Sequence, residues 1–115
     1  MQNNSDGFIN LSNELAECKI SLWGGNIVSY RPKNEKHDVF WMGDLNKFDN
    51  IHAIRGGVPV CWPRFAEEKL NDNFPRHGFA RLSNWKLKKC ICWQHRQVEV
   101  WLYVLLWIIQ KEQKV

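Results

Sequence analysis

Apolar and polar positions alternate with a period of two over several short stretches of the chain. Residues 8–50 show no sustained 3.6-residue period, so no long helix is expected there. Residues 8–11 predict a short strand. Residues 18–22 alternate as a half-buried strand does, and Gly24 and Gly25 then turn the chain. Residues 27–31 are rich in β-branched and aromatic side chains and predict the next strand. Pro32, Lys33 and Asn34 punctuate it, residues 39–42 predict a further strand, and residues 43–50 read as loop. Strand character resumes at residues 85–87. Residues 98–109 are apolar and fit a strand or a strand pair, with a buried helix of that length also open. Residues 110–114 read as a solvated end. Short strands separated by turns at this spacing predict an all-β fold, an antiparallel sandwich. No internal repeat or linker is evident.

The unusual residues gather in positions 54–81, which hold three of the four prolines. The first part runs Ile54, Arg55, Gly56, Gly57, Val58, Pro59, Val60, Cys61, Trp62, Pro63, Arg64, Phe65. About ten mostly polar residues later comes His77, Gly78, Phe79, Ala80, Arg81. A Gly-Gly pair lets backbone approach something closely, either another strand or a ligand. An arginine beside it reaches whatever the backbone approaches. On residue type alone the stretch also fits a loop turning corners between strands.

At 115 residues the chain is long enough for one domain with a modest core. The formal net charge is +4. Its basic excess is uneven: no acidic residue lies between Asp72 and Glu99, while Arg76, Arg81, Lys86, Lys88, Lys89 and Arg96 do. Such a segment suits an anionic ligand. It would suit nucleic acid too, but the interleaved glycines and aromatics match no nucleic-acid module, and no nucleic-acid partner is expected. The first seven residues lack a charged segment followed by an apolar one, unlike a signal peptide. The longest apolar run, residues 100–109, is about half of what a membrane-spanning helix needs. Four scattered cysteines, at 18, 61, 90 and 92, suggest no disulfide framework. A reduced, cytoplasmic protein is the expectation.

The two motifs of residues 54–65 and 77–81, in that order and followed by Trp85, resemble the hexose-6-phosphate mutarotases, the glucose-6-phosphate 1-epimerase family of the aldose 1-epimerase (galactose mutarotase-like) superfamily. The resemblance spans residues 16 to 87, about three-fifths of the chain. It implies that residues 1–87 are the N-terminal part of such a domain, with residues 88–115 an off-family tail. It also implies a substrate class, hexose 6-phosphates, whose α and β anomers the family interconverts, and no cofactor. Arg55 and Arg81 stand where the family has substrate-contacting arginines. A guanidinium fork suits phosphate because it bonds two oxygens at once. His77 matches a site-lining histidine able to bond a sugar hydroxyl or the ring oxygen. Arg76, just before it, matches a ligand-site position where relatives vary.

Anomer exchange needs a general base and a general acid on opposite sides of the sugar. The family supplies a glutamate and a histidine. No residue here matches either of them, or the family's substrate-binding aspartate, so no catalytic residue is assigned. The expected function is that of the family, with this chain inactive alone; a non-catalytic sugar-phosphate-binding module and a remnant that does not fold are the alternatives. Sandwich domains of this kind run to about 200–250 residues, so the strands here leave open edges that invite self-association. Cys90, Cys92 and His95 carry metal-capable groups, but their spacing is not that of a zinc finger and a fourth ligand is lacking; no metal is expected. His37 and His52 read as loop residues. There is no P-loop and no dinucleotide fingerprint.

Overall fold

Four strands pair in sequence order into one antiparallel sheet: β1 (Gln2–Asn4), β2 (Phe8–Ser12), β3 (Ala16–Ser21) and β4 (Ile27–Pro32). A second antiparallel pair follows, β5 (Trp85–Gln94) and β6 (Val100–Ile108). This computed structural model describes residues 2–4, 6–66, 75–94 and 100–108, with side chains over 6–66 and 75–87. Among these residues the one helical element is a single 3-10 turn, Ala80–Leu82. Among the described residues no helix is long and apolar enough to cross a membrane. The fold is all-β, as the alternation predicts.

The register explains the core. Ile9 lies opposite Ile20, and Leu11 opposite Cys18. Side chains on a strand alternate faces, so these four share one face. Ile9, Leu11 and Ile20 are buried there, with Leu22, Ile27 and Leu87 packed against them. Leu87 belongs to β5, so the second pair of strands closes over the first sheet at this point. Full burial of such a side chain contributes about 1.5–3 kcal/mol. A second cluster, Trp23, Val28 and Ile54, lies beneath the loops with Phe8, Met42 and Leu82 around it. The Trp85 amide donates to the Leu22 carbonyl (2.7 Å), and the Trp85 indole donates to the Ala80 carbonyl (2.9 Å).

Residues 39–42 do not form the strand their apolar run predicts. Met42 makes only an isolated bridge to Gly56. The cause is local. The Asp38 carboxylate accepts from the Tyr30 amide (3.1 Å), the Phe40 amide (2.8 Å) and the Ser29 hydroxyl, and this curls the chain away from an extended ladder. Its continuation beyond Met42 is turned by the loop. The partner the segment finds is the Gly-Gly pair. Gly57 (φ +65°) donates to the Trp41 carbonyl at 3.0 Å, and Val58 donates to the Ile27 carbonyl at 2.9 Å. A Cβ on Gly57 would collide with that Ile27 carbonyl. The pair therefore lets backbone pass between two neighbouring segments, the strand-approach reading of the motif.

Gln2–Asn4, for which the sequence reading places no element, pairs with β2. Residues 98–109 contribute one strand, β6, pairing with β5 from Trp85↔Ile108 to Gln94↔Val100. The mostly polar residues 67–74, His95 and the expected solvated end at 110–114 lie outside the described residues, as do the side chains of Cys90 and Cys92.

Candidate functional site

The loop at residues 43–55 and the segments around residues 62–66 and 75–81 enclose an open cleft of about 820 Å³. Each side is stitched down by its own hydrogen bonds. On the first side the Trp23 indole, itself buried, donates to the His52 carbonyl at 2.9 Å. Ile54 is in the core beside Trp23. Phe48 meets Phe8 edge-on, with ring centroids 5.6 Å apart. Arg55 follows Ile54 directly, so its backbone is carried on the core while its side chain reaches the cleft.

Asn46 fixes that backbone further. Its Oδ1 accepts from the Arg55 amide at 2.8 Å, and its Nδ2 donates to the Arg55 carbonyl at 2.8 Å and to the Gly43 carbonyl at 2.9 Å. The Gly43 amide also donates to the Arg55 carbonyl, at 2.9 Å. Asp49 organises the turn between. Its Oδ1 accepts from the Ile51 amide (3.0 Å) and the His52 amide (2.9 Å), and its Oδ2 lies 2.6 Å from His52 Nδ1. These bonds, the His52 amide first and then its ring, hold the Asp49 carboxyl well below the usual carboxylate range.

On the opposite side Ala66 and His77 both have left-handed backbone, φ +58° and +64°. Non-glycine residues adopt that region at a cost, which a reciprocal pair of bonds offsets. The His77 amide donates to the Ala66 carbonyl (3.1 Å), and the Ala66 amide donates to His77 Nδ1 (2.9 Å). An amide can only donate, so Nδ1 is an acceptor here and the neutral ring carries its proton on Nε2. Gly78 (φ +74°) bridges Trp62, whose carbonyl a Cβ would strike, and Ala80 donates to that carbonyl at 3.1 Å. Phe65 stands 5.0 Å from the His77 ring, centroid to centroid. Arg81 donates through Nη2 to the Arg76 carbonyl at 2.7 Å. Its Nε is buried with no hydrogen-bond partner among the described residues.

Arg55, Arg76, His77 and Arg81, the four site residues expected from sequence, all line this one cleft. It also takes in three residues that sequence reasoning left aside: Lys47, Asn46 and His52. Asn46 and His52 carry no signal in a single sequence, because their positions depend on partners elsewhere in the fold. Trp41, Phe48 and Phe65 supply exposed aromatic walls. Among the described residues the lining holds four cationic side chains and no carboxylate. Such a surface attracts an anion, and His77 Nε2 adds a neutral donor. Cys61 lines the cleft as a half-buried free thiol. Among the described residues no group of three or more metal-capable side chains gathers.

Comparison with known proteins gives concordant results. The family model described as aldose 1-epimerase matches residues 8–104. Several curated relatives bear the name "putative glucose-6-phosphate 1-epimerase". That of Escherichia coli (strain K12) is 42% identical over 72 residues, covering 63% of this chain and 24% of its own length. That of Haemophilus influenzae is 46% identical over 56 residues, covering 49% and 19%. The crystal structure of a "putative mutarotase (YeaD)" from Salmonella typhimurium superposes with a TM-score of 0.65 at 33% identity, over 73% of this chain and 28% of that one. The chain thus spans about a fifth to a quarter of the length of the curated relatives it matches.

Proposed function

The chain belongs to the aldose 1-epimerase family, and from that premise we propose that its cleft binds a hexose 6-phosphate. The observation that carries this reading is the convergence of Lys47, Arg55, Arg76 and Arg81 on a cleft whose described lining has no carboxylate. A phosphate monoester is close to a dianion at neutral pH. It pairs best with fork-shaped donors that bond two oxygens together. Arg81 supports the assignment: it lines the cleft with its guanidinium held in place through Nη2 on the Arg76 carbonyl. The sugar then lies against the aromatic walls, within reach of the His77 Nε2 proton.

The relatives' name, glucose-6-phosphate 1-epimerase, supplies the reaction class: exchange of the two anomers of such a sugar phosphate. That exchange needs an acid and a base tuned near neutrality on opposite sides of the ring. The residues to which the family assigns these roles have no match here, so this chain on its own binds the sugar phosphate without turning it over.

Thermal melting of the purified 115-residue chain with glucose 6-phosphate, followed by a polarimetric mutarotation assay, tests both statements. A ligand that prefers the folded state at 100 times its Kd shifts Tm upward by about 10–20 °C for a domain of this size. The expected result is an upward shift with an anomerisation rate equal to that in buffer. A Tm indifferent to glucose 6-phosphate overturns the binding proposal. A rate above buffer overturns the claim of inactivity.

A further inference from the structure

Among the described residues the cleft is rich in donors and poor in acceptors. Arg55, Arg81, Lys47 and the His77 Nε2 proton all donate. Asn46 Oδ1 is engaged by the Arg55 amide, and His77 Nδ1 by the Ala66 amide. A sugar presents hydroxyl groups that both accept and donate, and a cleft of donors alone leaves their protons unmatched. His52 supplies what is missing. Its Nδ1 is 2.6 Å from Asp49 Oδ2. An ionised carboxylate only accepts, so in the neutral His52 ring the proton sits on Nδ1 and Nε2 carries a lone pair. Asp49 stays ionised because its other oxygen takes two backbone amides. The buried Trp23 indole holds the His52 backbone from below. Among the described residues lining the cleft, His52 is the one whose side-chain nitrogen or oxygen acceptor takes no hydrogen bond from another group.

We propose that His52 is the specificity-determining residue that accepts a hydrogen bond from a hydroxyl of the bound sugar, with Asp49 setting its tautomer. The inference rests on the sugar-phosphate reading above. It divides the cleft's work: the cations hold the phosphate, and the Asp49–His52 pair recognises the sugar. His77 and His52 then present opposite tautomers to one ligand, the first donating and the second accepting.

The division is testable with two ligands on the full chain, inorganic phosphate and glucose 6-phosphate, titrated by calorimetry. His52→Phe keeps a flat ring and removes the acceptor. Asp49→Asn keeps Oδ1 for the two backbone amides but turns Oδ2 into a donor, which moves the His52 proton to Nε2. Both variants are expected to weaken glucose 6-phosphate by about five- to tenfold, the loss of one hydrogen bond, and to leave inorganic phosphate unchanged. His52→Gln, which restores an acceptor, is expected to recover most of the loss. Equal weakening of both ligands, or of neither, in the folded variants overturns the role given to His52. If His52→Phe does not fold, Asp49→Asn decides alone. Absence of any glucose 6-phosphate binding by the unaltered chain overturns the sugar-phosphate reading itself. Binding that is indifferent to His52 overturns only this inference.

Discussion

Asn46→Ala is the sharpest probe of how the cleft is built. The substitution removes three hydrogen bonds: the Arg55 amide to Oδ1 (2.8 Å), and Nδ2 to the Arg55 and Gly43 carbonyls (2.8 and 2.9 Å). A hydrogen bond of this kind contributes about 0.5–1.5 kcal/mol net. Two features reduce the total. The Arg55 carbonyl keeps its bond from the Gly43 amide, and Arg55 is exposed, so water replaces part of what is lost. The expected cost is about 1–3 kcal/mol, a fall in Tm of about 5–15 °C for a domain of this size. The second consequence is functional. Once Asn46 is gone the root of the Arg55 side chain moves more freely, and ordering it on a phosphate costs more. Phosphate affinity is expected to fall by about three- to tenfold, roughly the worth of one weakened hydrogen bond. A double-mutant cycle with Arg55→Ala separates positioning from general loosening: if Asn46 acts through Arg55, its effect on affinity vanishes in the Arg55→Ala background. An Asn46→Ala chain that melts with the unaltered chain, or that loses the same affinity with and without Arg55, refutes the reasoning.

Ile9, with none of its surface exposed, is the centre of the sheet's core, and Ile9→Ala is expected to cost about 2–5 kcal/mol in urea denaturation; a cost under about 1 kcal/mol would mean the β2–β3 face is not the core. Arg81→Lys removes the planar fork that bonds the Arg76 carbonyl while keeping the charge, so glucose 6-phosphate affinity by calorimetry is expected to fall although net charge is unchanged; full affinity in the lysine variant would mean charge alone suffices. Acid is expected to destabilise the fold. Lys33 and then Arg31 hold the Glu17 carboxyl low, and the His52 amide and ring hold Asp49 low. At Asp38 burial pushes upward, but the Ser29 hydroxyl and the Phe40 and Tyr30 amides outweigh it. Groups whose folded pKa is depressed stabilise in full above their unfolded values and lose that contribution as pH falls toward the folded ones. Tm followed by circular dichroism is therefore expected to fall below about pH 4; a Tm that holds to pH 3 contradicts it.

Strands β2 to β4 were legible because each buries one face, so the alternation that an isolated sequence displays is the same alternation the core uses. Strand β1 was not legible, since Gln2–Asn4 is polar throughout and shows no apolar alternation. Residues 39–42 misled for the opposite reason: they are apolar enough for a strand, but Asp38 captures the nearby amides. Arg55, Arg76, His77 and Arg81 were legible only through motif resemblance, which places residue types without saying what holds them. Asn46 and His52 lay beyond reach. The Trp23–His52 bond that fixes the second spans 29 positions, and no local spacing encodes it.

The site's dependence on that long-range bond bears on which part of the chemistry this chain carries. Among the described residues, the cations lining the cleft come from residues 47–81; Arg55 adjoins Ile54 of the buried cluster, and the Arg81 side chain is bonded to the Arg76 carbonyl. On the sugar-phosphate proposal, the groups that hold the phosphate all come from one stretch of the chain. Acid–base exchange has the contrary requirement, two groups on opposite faces of the ring, and the cleft's two imidazoles do not meet it as they stand. The His77 ring has its Nδ1 committed to the Ala66 amide. A proton added there would displace that bond, so His77 is suited to donating from Nε2 rather than to cycling a proton. The His52 ring, steadied by Asp49, is suited to accepting. One fixed donor and one fixed acceptor recognise a sugar well. For turnover each must also give or take a proton, and the structure of the His77 turn argues against that at His77. An active chain would therefore have to show a pH–rate profile sensitive to Asp49→Asn and insensitive to the Ala66–His77 turn.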